Sequence, residues 1–224
     1  MEYKLQAQLK DTPGIVRMLG IFDIPGKYQG LVMEAANGGT LHHWISTYND
    51  DPLVFRNIFL SLSRGLLVIH AQGIVIRDIK PDNILLFKGS DNSITAKWSD
   101  FGLATRVNEP IFEFSPDINY CTPEMSGQKG PVMFMQDIFA LGCSMYEVLS
   151  KPGSHVPRLP KQPNMAQGFV NFKSTEFLAF EHSHAGSKWG KVVTLIKNML
   201  NDNPKKRPTI QEVLKVIHEI PSKQ

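Results

Sequence analysis

An α+β fold is expected for this chain, with strands gathered near its start and helices filling most of the remainder. Three observations carry that expectation. Residues 15–22 and 30–34 are short apolar runs flanking a Pro25-Gly26 turn, and they read as a strand pair. Phe55, Ile58, Phe59, Leu62, Leu66 and Ile69 recur at helical spacing across residues 53–72. Residues 134–150 are strongly apolar and helical, with Gly142 inside the run.

The other elements follow in order. Residues 2–10 place Leu5 and Leu9 four apart, a short amphipathic helix that Asp11-Thr12-Pro13-Gly14 ends. Residues 35–39 are small and form a link, and a helix starts over residues 41–47. After the long helix a loop holds Asp78, and a strand follows at 83–87. A second strand at 95–99 leads into Asp100. Residues 151–163, rich in Pro and Gly, read as a loop within the domain. Residues 192–200 and 209–220 are the last clear helices.

Composition narrows the function classes. A length of 224 residues suits one domain, or one domain with a small lobe. The formal net charge of +3 is too weak to argue for nucleic acid, so no nucleic-acid partner is expected. The two cysteines, Cys121 and Cys143, form no CxxC pair, which suits a reducing compartment. The cytoplasm is the expected location, with the nucleus as the alternative. No uninterrupted run of about 18 apolar residues exists, so no membrane span is expected. His42-His43 and the pair His182/His184 lack a ligand constellation around them, and no zinc-type site is expected there.

Two motifs carry the chemistry. Arg77-Asp78-Ile79-Lys80-Pro81-Asp82-Asn83 is an R-D-x-K-P-x-N core, and Asp100-Phe101-Gly102 begins 22 positions after Asp78. In this order and at this spacing they resemble the catalytic domain of eukaryotic protein kinases, of the Ser/Thr-directed kind. The resemblance covers roughly residues 2–217 and implies ATP and Mg²⁺ as cofactors and a protein substrate. It makes Asp78 the carboxylate that orients the attacking hydroxyl, and it sets Lys80 beside the transferring phosphate. Asn83 and Asp100 supply the oxygen ligands that Mg²⁺ prefers.

Further positions match the same family. Met33-Glu34-Ala35-Ala36 stands at the gatekeeper and hinge, where backbone groups of Glu34 and Ala36 would meet an adenine edge. Leu85 would floor the adenine pocket. Cys121-Thr122-Pro123-Glu124 replaces the A-P-E tripeptide, and Arg207 matches the arginine that pairs with Glu124. Asp137 resembles the aspartate whose carboxylate holds the catalytic loop still. His70 reads as a packing and hydrogen-bonding residue. Arg77 would meet the activation-loop phosphate. Glu113, 13 positions after Asp100, is either a built-in substitute for that phosphate or a solvated loop residue.

The chain also departs from the family. Residues 1–224 hold neither a Gly-rich loop nor a V-A-I-K strand. Glu2 is the candidate for the glutamate that would pair with that strand's lysine. In this register Gln6 falls where the family has an apolar residue. Ile76 replaces the histidine of H-R-D, which keeps packing and loses a bond. Asp117 stands where Ser/Thr kinases have Thr. The expected organisation is a small-lobe remnant over 1–36 and a large lobe over 37–224. The expected function is a Ser/Thr protein kinase, with a pseudokinase scaffold or an inactive fragment of a longer kinase as alternatives. The departures leave room for a regulatory protein partner.

Overall fold

A computed structural model describes residues 2–9, 11–26, 28–107, 120–122, 124, 133–150 and 177–221, with backbone alone at 2–4 and 28. The first helix, α1 (Glu2–Gln8), turns Leu5 and Leu9 into the core, as their spacing requires. It ends at Gln8, ahead of the turn at Pro13-Gly14. Gly14 has φ of +82°, and a Cβ there would lie 2.6 Å from the Ser61 carbonyl oxygen. Glycine therefore answers both the backbone conformation and the close approach.

Residues 14–16 leave the first strand and pair elsewhere. Trp98 N–H donates to Gly14 O at 2.8 Å, and Val16 N–H donates to Trp98 O at 2.9 Å. The sequence places the start of the strand at residue 15, but β1 begins only at Met18 (Met18–Ile24) because residues 14–16 are engaged with Trp98. β2 (Tyr28–Met33) pairs antiparallel with β1, with Ile21 opposite Leu31 and Ile24 opposite Tyr28. Leu19, Ile21, Phe22 and Val32 on this hairpin are exposed.

α2 (Leu41–Ile45) starts at Thr40, whose hydroxyl accepts from His43 N–H. α3 (Pro52–Ala71) starts at Asp51, whose carboxylate accepts from Leu53 N–H, with Pro52 in the first turn. By length and composition α3 could cross a membrane. Core packing accounts for its apolar character, since Phe55, Ile58, Phe59, Leu62, Leu66 and Ile69 are fully buried among the other elements.

Two further short sheets among the described residues carry the functional segments. β4 (Ile84–Lys88) and β5 (Ile94–Trp98) form an antiparallel hairpin, Ile84 opposite Trp98. β3 (Ile74–Val75) pairs antiparallel with β6 (Thr105–Arg106), a ladder too short to leave a periodic signal in the sequence. Pro81–Asn83 is a 3₁₀ turn, so β4 starts one residue later than its apolar run suggests.

The remaining helices pack as one body with α3. α4 (Phe134–Leu149) is buried along almost its whole length. Residues 177–184 form α5, followed by α6 (Gly190–Met199) and α7 (Ile210–His218). A Cβ at Gly142 would lie 2.9 Å from Met199 Cβ, so α4 and α6 approach closely at that glycine. α7 opens with a capping box in which Thr209 and Glu212 bond each other's backbone N–H. The irregular stretch expected at residues 151–163 lies outside the described residues.

Candidate active site

The loop between β3 and β4 is built around Asp78. Lys80 Nζ lies 2.9 Å from Asp78 Oδ2, and Asn83 Nδ2 donates to the same oxygen at 2.7 Å and to Asp78 O at 3.0 Å. The proline in K-P-D-N forces the 3₁₀ turn that folds Asn83 back over Asp78. With its nitrogen spent on Asp78, the Asn83 amide keeps its oxygen for another partner.

Asp100 joins this loop through its neighbour. Ser99 N–H and Ser99 Oγ both donate to Asn83 O, at 3.0 and 2.9 Å. The end of β5 is thereby pinned to the residue that closes the loop. Asp100 has φ of +60°, a left-handed conformation that Asp tolerates, and its Oδ1 accepts from Gly102 N–H at 3.0 Å. Asp100 is exposed, whereas Phe101 is buried in the core at 1%. The aromatic anchor thus fixes the carboxylate beside it toward solvent. Asn83 and Asp100 together offer neutral and anionic oxygen donors, a set that fits Mg²⁺.

Asp137 holds the loop from below. Its carboxylate accepts from Ile76 N–H at 2.9 Å, Arg77 N–H at 3.0 Å and His70 Nε2 at 2.9 Å. Asp137 is 1% exposed, so each of these bonds is made out of reach of water. Arg77 has φ of +67°, and the two backbone bonds hold that strained turn in place. Burial lowers the Arg77 guanidinium below its ordinary value, and Asp137 opposes the shift. Ile76 fills the position of the family's histidine as a core residue at 1% exposure.

The segment after β2 is tied to β4 and β5, the hairpin that leads into Asp100. Glu34 N–H donates to Arg17 O at 3.0 Å, and Glu34 Oε1 accepts from Arg17 N–H at 2.7 Å. Lys97 Nζ lies 2.5 Å from the same Oε1 and sits 4.5 Å above the Phe87 ring. Burial raises the Glu34 carboxyl, but Lys97 and the Arg17 amide outweigh it, and the group sits below its ordinary value. Gly38 N–H donates to Leu86 O and Leu86 N–H to Gly39 O, which sets half-buried Leu85 beside this link. Thr40 and Leu85 also form an antiparallel bridge.

Glu124 and Arg207 meet in a two-pronged pair. Arg207 Nη1 reaches Glu124 Oε1 at 2.6 Å, and Nη2 reaches Oε2 at 2.8 Å. The Arg207 side chain is fully buried, donates also to Asn201 O and Met135 O, and covers the Phe139 ring at 4.9 Å. Glu113, Asp117 and the side chain of Glu2 lie outside the described residues. The Ser99 bonds to Asn83 and the Lys97–Glu34 pair escape the sequence reading. Ser99 stands directly before Asp100, which was the one signal available. The described residues also leave a cavity of about 230 Å³ between α5 and α6, lined by Phe177, Leu178, Glu181, Lys197, Leu200 and Asn201. It holds the Glu181–Lys197 ion pair and none of the residues named above.

The comparisons with known proteins agree with one another. The family model described as "Protein kinase domain" matches residues 1–217. The serine/threonine-protein kinase DCLK3 of Mus musculus is 31% identical over 206 residues, 90% of this chain and 25% of that protein. DCLK1 of Rattus norvegicus is 34% identical over 138 residues, 61% of this chain and 31% of that protein. The rhodopsin kinase GRK7 of Bos taurus is 37% identical over 125 residues, 54% of this chain and 22% of that protein. The chain belongs to the protein kinase family. It spans less than a third of the length of each of these relatives.

Proposed function

We propose that this chain is the catalytic part of a Ser/Thr protein kinase, which moves the γ-phosphoryl group of ATP to a protein Ser or Thr hydroxyl. The observation that carries the reading is the Asp78–Lys80–Asn83 cluster, joined to Asp100 through Ser99. Asp78 takes the role of orienting the hydroxyl and accepting its proton. Lys80, already beside that carboxylate, places a positive charge where the phosphoryl group would pass. Asn83 and Asp100 would hold Mg²⁺, which neutralises phosphate charge when bound. The Glu34 carbonyl, the backbone of Ala36 and the side chain of Leu85 would frame adenine. Arg77, Asp137, Glu124 and Arg207 position these groups and touch no reacting atom. The small-lobe and large-lobe division at about residue 36 belongs to the same proposal, as do a cytoplasmic location and a regulatory protein partner.

The test is transfer of radiolabelled phosphate from ATP to peptide pools, using residues 1–224 joined to a segment that supplies a Gly-rich loop and a strand lysine. Labelling of Ser/Thr pools that Asp78→Asn removes supports the reading. Labelling of Tyr pools alone, or equal labelling by the variant, overturns it. A binding-only role is the second reading, favoured by Ile76 and Asp117 at positions where active relatives of the Ser/Thr class have His and Thr. Nucleotide binding without transfer in the joined protein would select it.

A further inference from the structure

Asn37-Gly38 is the single Asn-Gly pair in the sequence, and it lies in the link between β2 and α2. Asparagine amides are thermolabile, and a following glycine, with no Cβ, lets its backbone nitrogen approach the amide carbon. Both residues are fixed here by geometry. The Asn37 side chain pairs with both backbone groups of Lys88. Its Nδ2 donates to Lys88 O at 3.1 Å, and its Oδ1 accepts from Lys88 N–H at 2.8 Å. The amide thus does at the end of β4 what the backbone of a neighbouring strand would do. A Cβ at residue 38 would lie 2.8 Å from both the Cβ and the carbonyl oxygen of Leu86, so the close approach sets Gly38 as well.

The same contacts oppose the chemistry that this pair invites. Gly38 N–H donates to Leu86 O at 2.9 Å, so the nitrogen that would attack is held by β4. The amide carbon it would attack is held by the two bonds to Lys88. Asn37 is exposed, so water competes for those bonds. Each local opening of the link frees both groups together.

We propose that Asn37 is a deamidation site which the folded link protects, and whose conversion unfastens the link from β4. In the open state the Gly38 backbone nitrogen gives its proton to solvent hydroxide and attacks Asn37 Cγ. A bond from that nitrogen to Cγ forms, the Cγ–Nδ2 bond breaks, and ammonia leaves with a proton taken from water. Water then opens the cyclic imide to aspartate or isoaspartate. Aspartate keeps an acceptor for Lys88 N–H, but it has no N–H for Lys88 O and sets a carboxylate oxygen against that carbonyl. Isoaspartate also lengthens the backbone by one carbon. Protection and its loss are independent of the kinase reading. Only the consequence, a loosened frame for adenine between Ala36 and Leu85, rests on that reading.

Both halves are tested on the 224-residue chain without any activity measurement. The chain is aged at mildly alkaline pH, in buffer and in urea, and residue 37 is followed by peptide mass spectrometry. Conversion should be slower in the folded chain by at least about tenfold. Equal rates, or no conversion in urea, would overturn the proposal. Amide hydrogen exchange on Asn37→Asp tests the unfastening. The Leu86 amide, which donates to Gly39 O, should exchange several-fold faster, with amides of α4 as the internal control. Asn37→Ser, which is neutral and too short to reach both groups of Lys88, should do the same and guards against a fold defect caused by the new charge. A Leu86 amide that exchanges as in the wild type in both variants would overturn the proposal.

Discussion

At the scale of single residues, the candidate site depends on a few side chains whose partners are themselves fixed. Asp78 takes bonds from Lys80 and Asn83, and Asn83 is pinned by Ser99. Asp78→Asn or Asp100→Asn should therefore remove most phosphoryl transfer while leaving the melting temperature within a few degrees, because neither carboxylate is part of the core. Transfer at the wild-type rate in either variant, measured in the joined protein, would remove these two residues from the mechanism. Arg207 behaves in the opposite way. Its fully buried guanidinium serves Glu124, Asn201 and Met135 together. Arg207→Ala strands the Glu124 carboxylate and should cost about 3–5 kcal/mol in urea unfolding. Most of these residues were legible in the sequence because short motifs fix their identity and spacing. Ser99 and Lys97 were not, because their partners Asn83 and Glu34 lie 16 and 63 positions away and no local pattern links them.

Among elements, the join between β2 and β5 matters most. Glu34, just past β2, is bound to Lys97 in β5, three residues before Asp100. Its carboxyl is held below the ordinary value, so folding favours the ionised form. The pair's contribution is complete above the unfolded carboxylate range, near about pH 4.3, and is lost as pH falls through the lowered folded value. Glu34→Gln should destabilise by about 0.2–1 kcal/mol at neutral pH, the size of a partly exposed ion pair. The difference from the wild type should close on acidification, as followed by urea midpoints between neutral pH and pH 3. A constant difference across that range would mean that packing, and not charge, makes the link. Long elements were legible for a physical reason: α3 and α4 repeat apolar residues over many turns. The β3–β6 ladder and the pairing of residues 14–16 with Trp98 are too short for any period to develop.

At the scale of the whole molecule, α3 is the common wall. It packs against β5 and α7. Leu66, fully buried in the C-terminal half of α3, should cost about 2–5 kcal/mol when replaced by Ala, seen as a lower urea midpoint with the slope unchanged. The pairing of Gly14 with Trp98 has a further consequence, in the order in which the protein is made. Eighty-four positions separate these two partners. A ribosome adding about 5–20 residues per second needs about 4–17 s to go from one to the other. From the completion of β2 until Trp98 is added, the β1–β2 hairpin lacks the anchor that the Gly14 and Val16 pairing with Trp98 gives its first strand. Before β5 exists, the backbone groups of Gly14 and Val16 have no strand partner. Codon choice upstream of residue 98 should change soluble yield more than the same change made downstream.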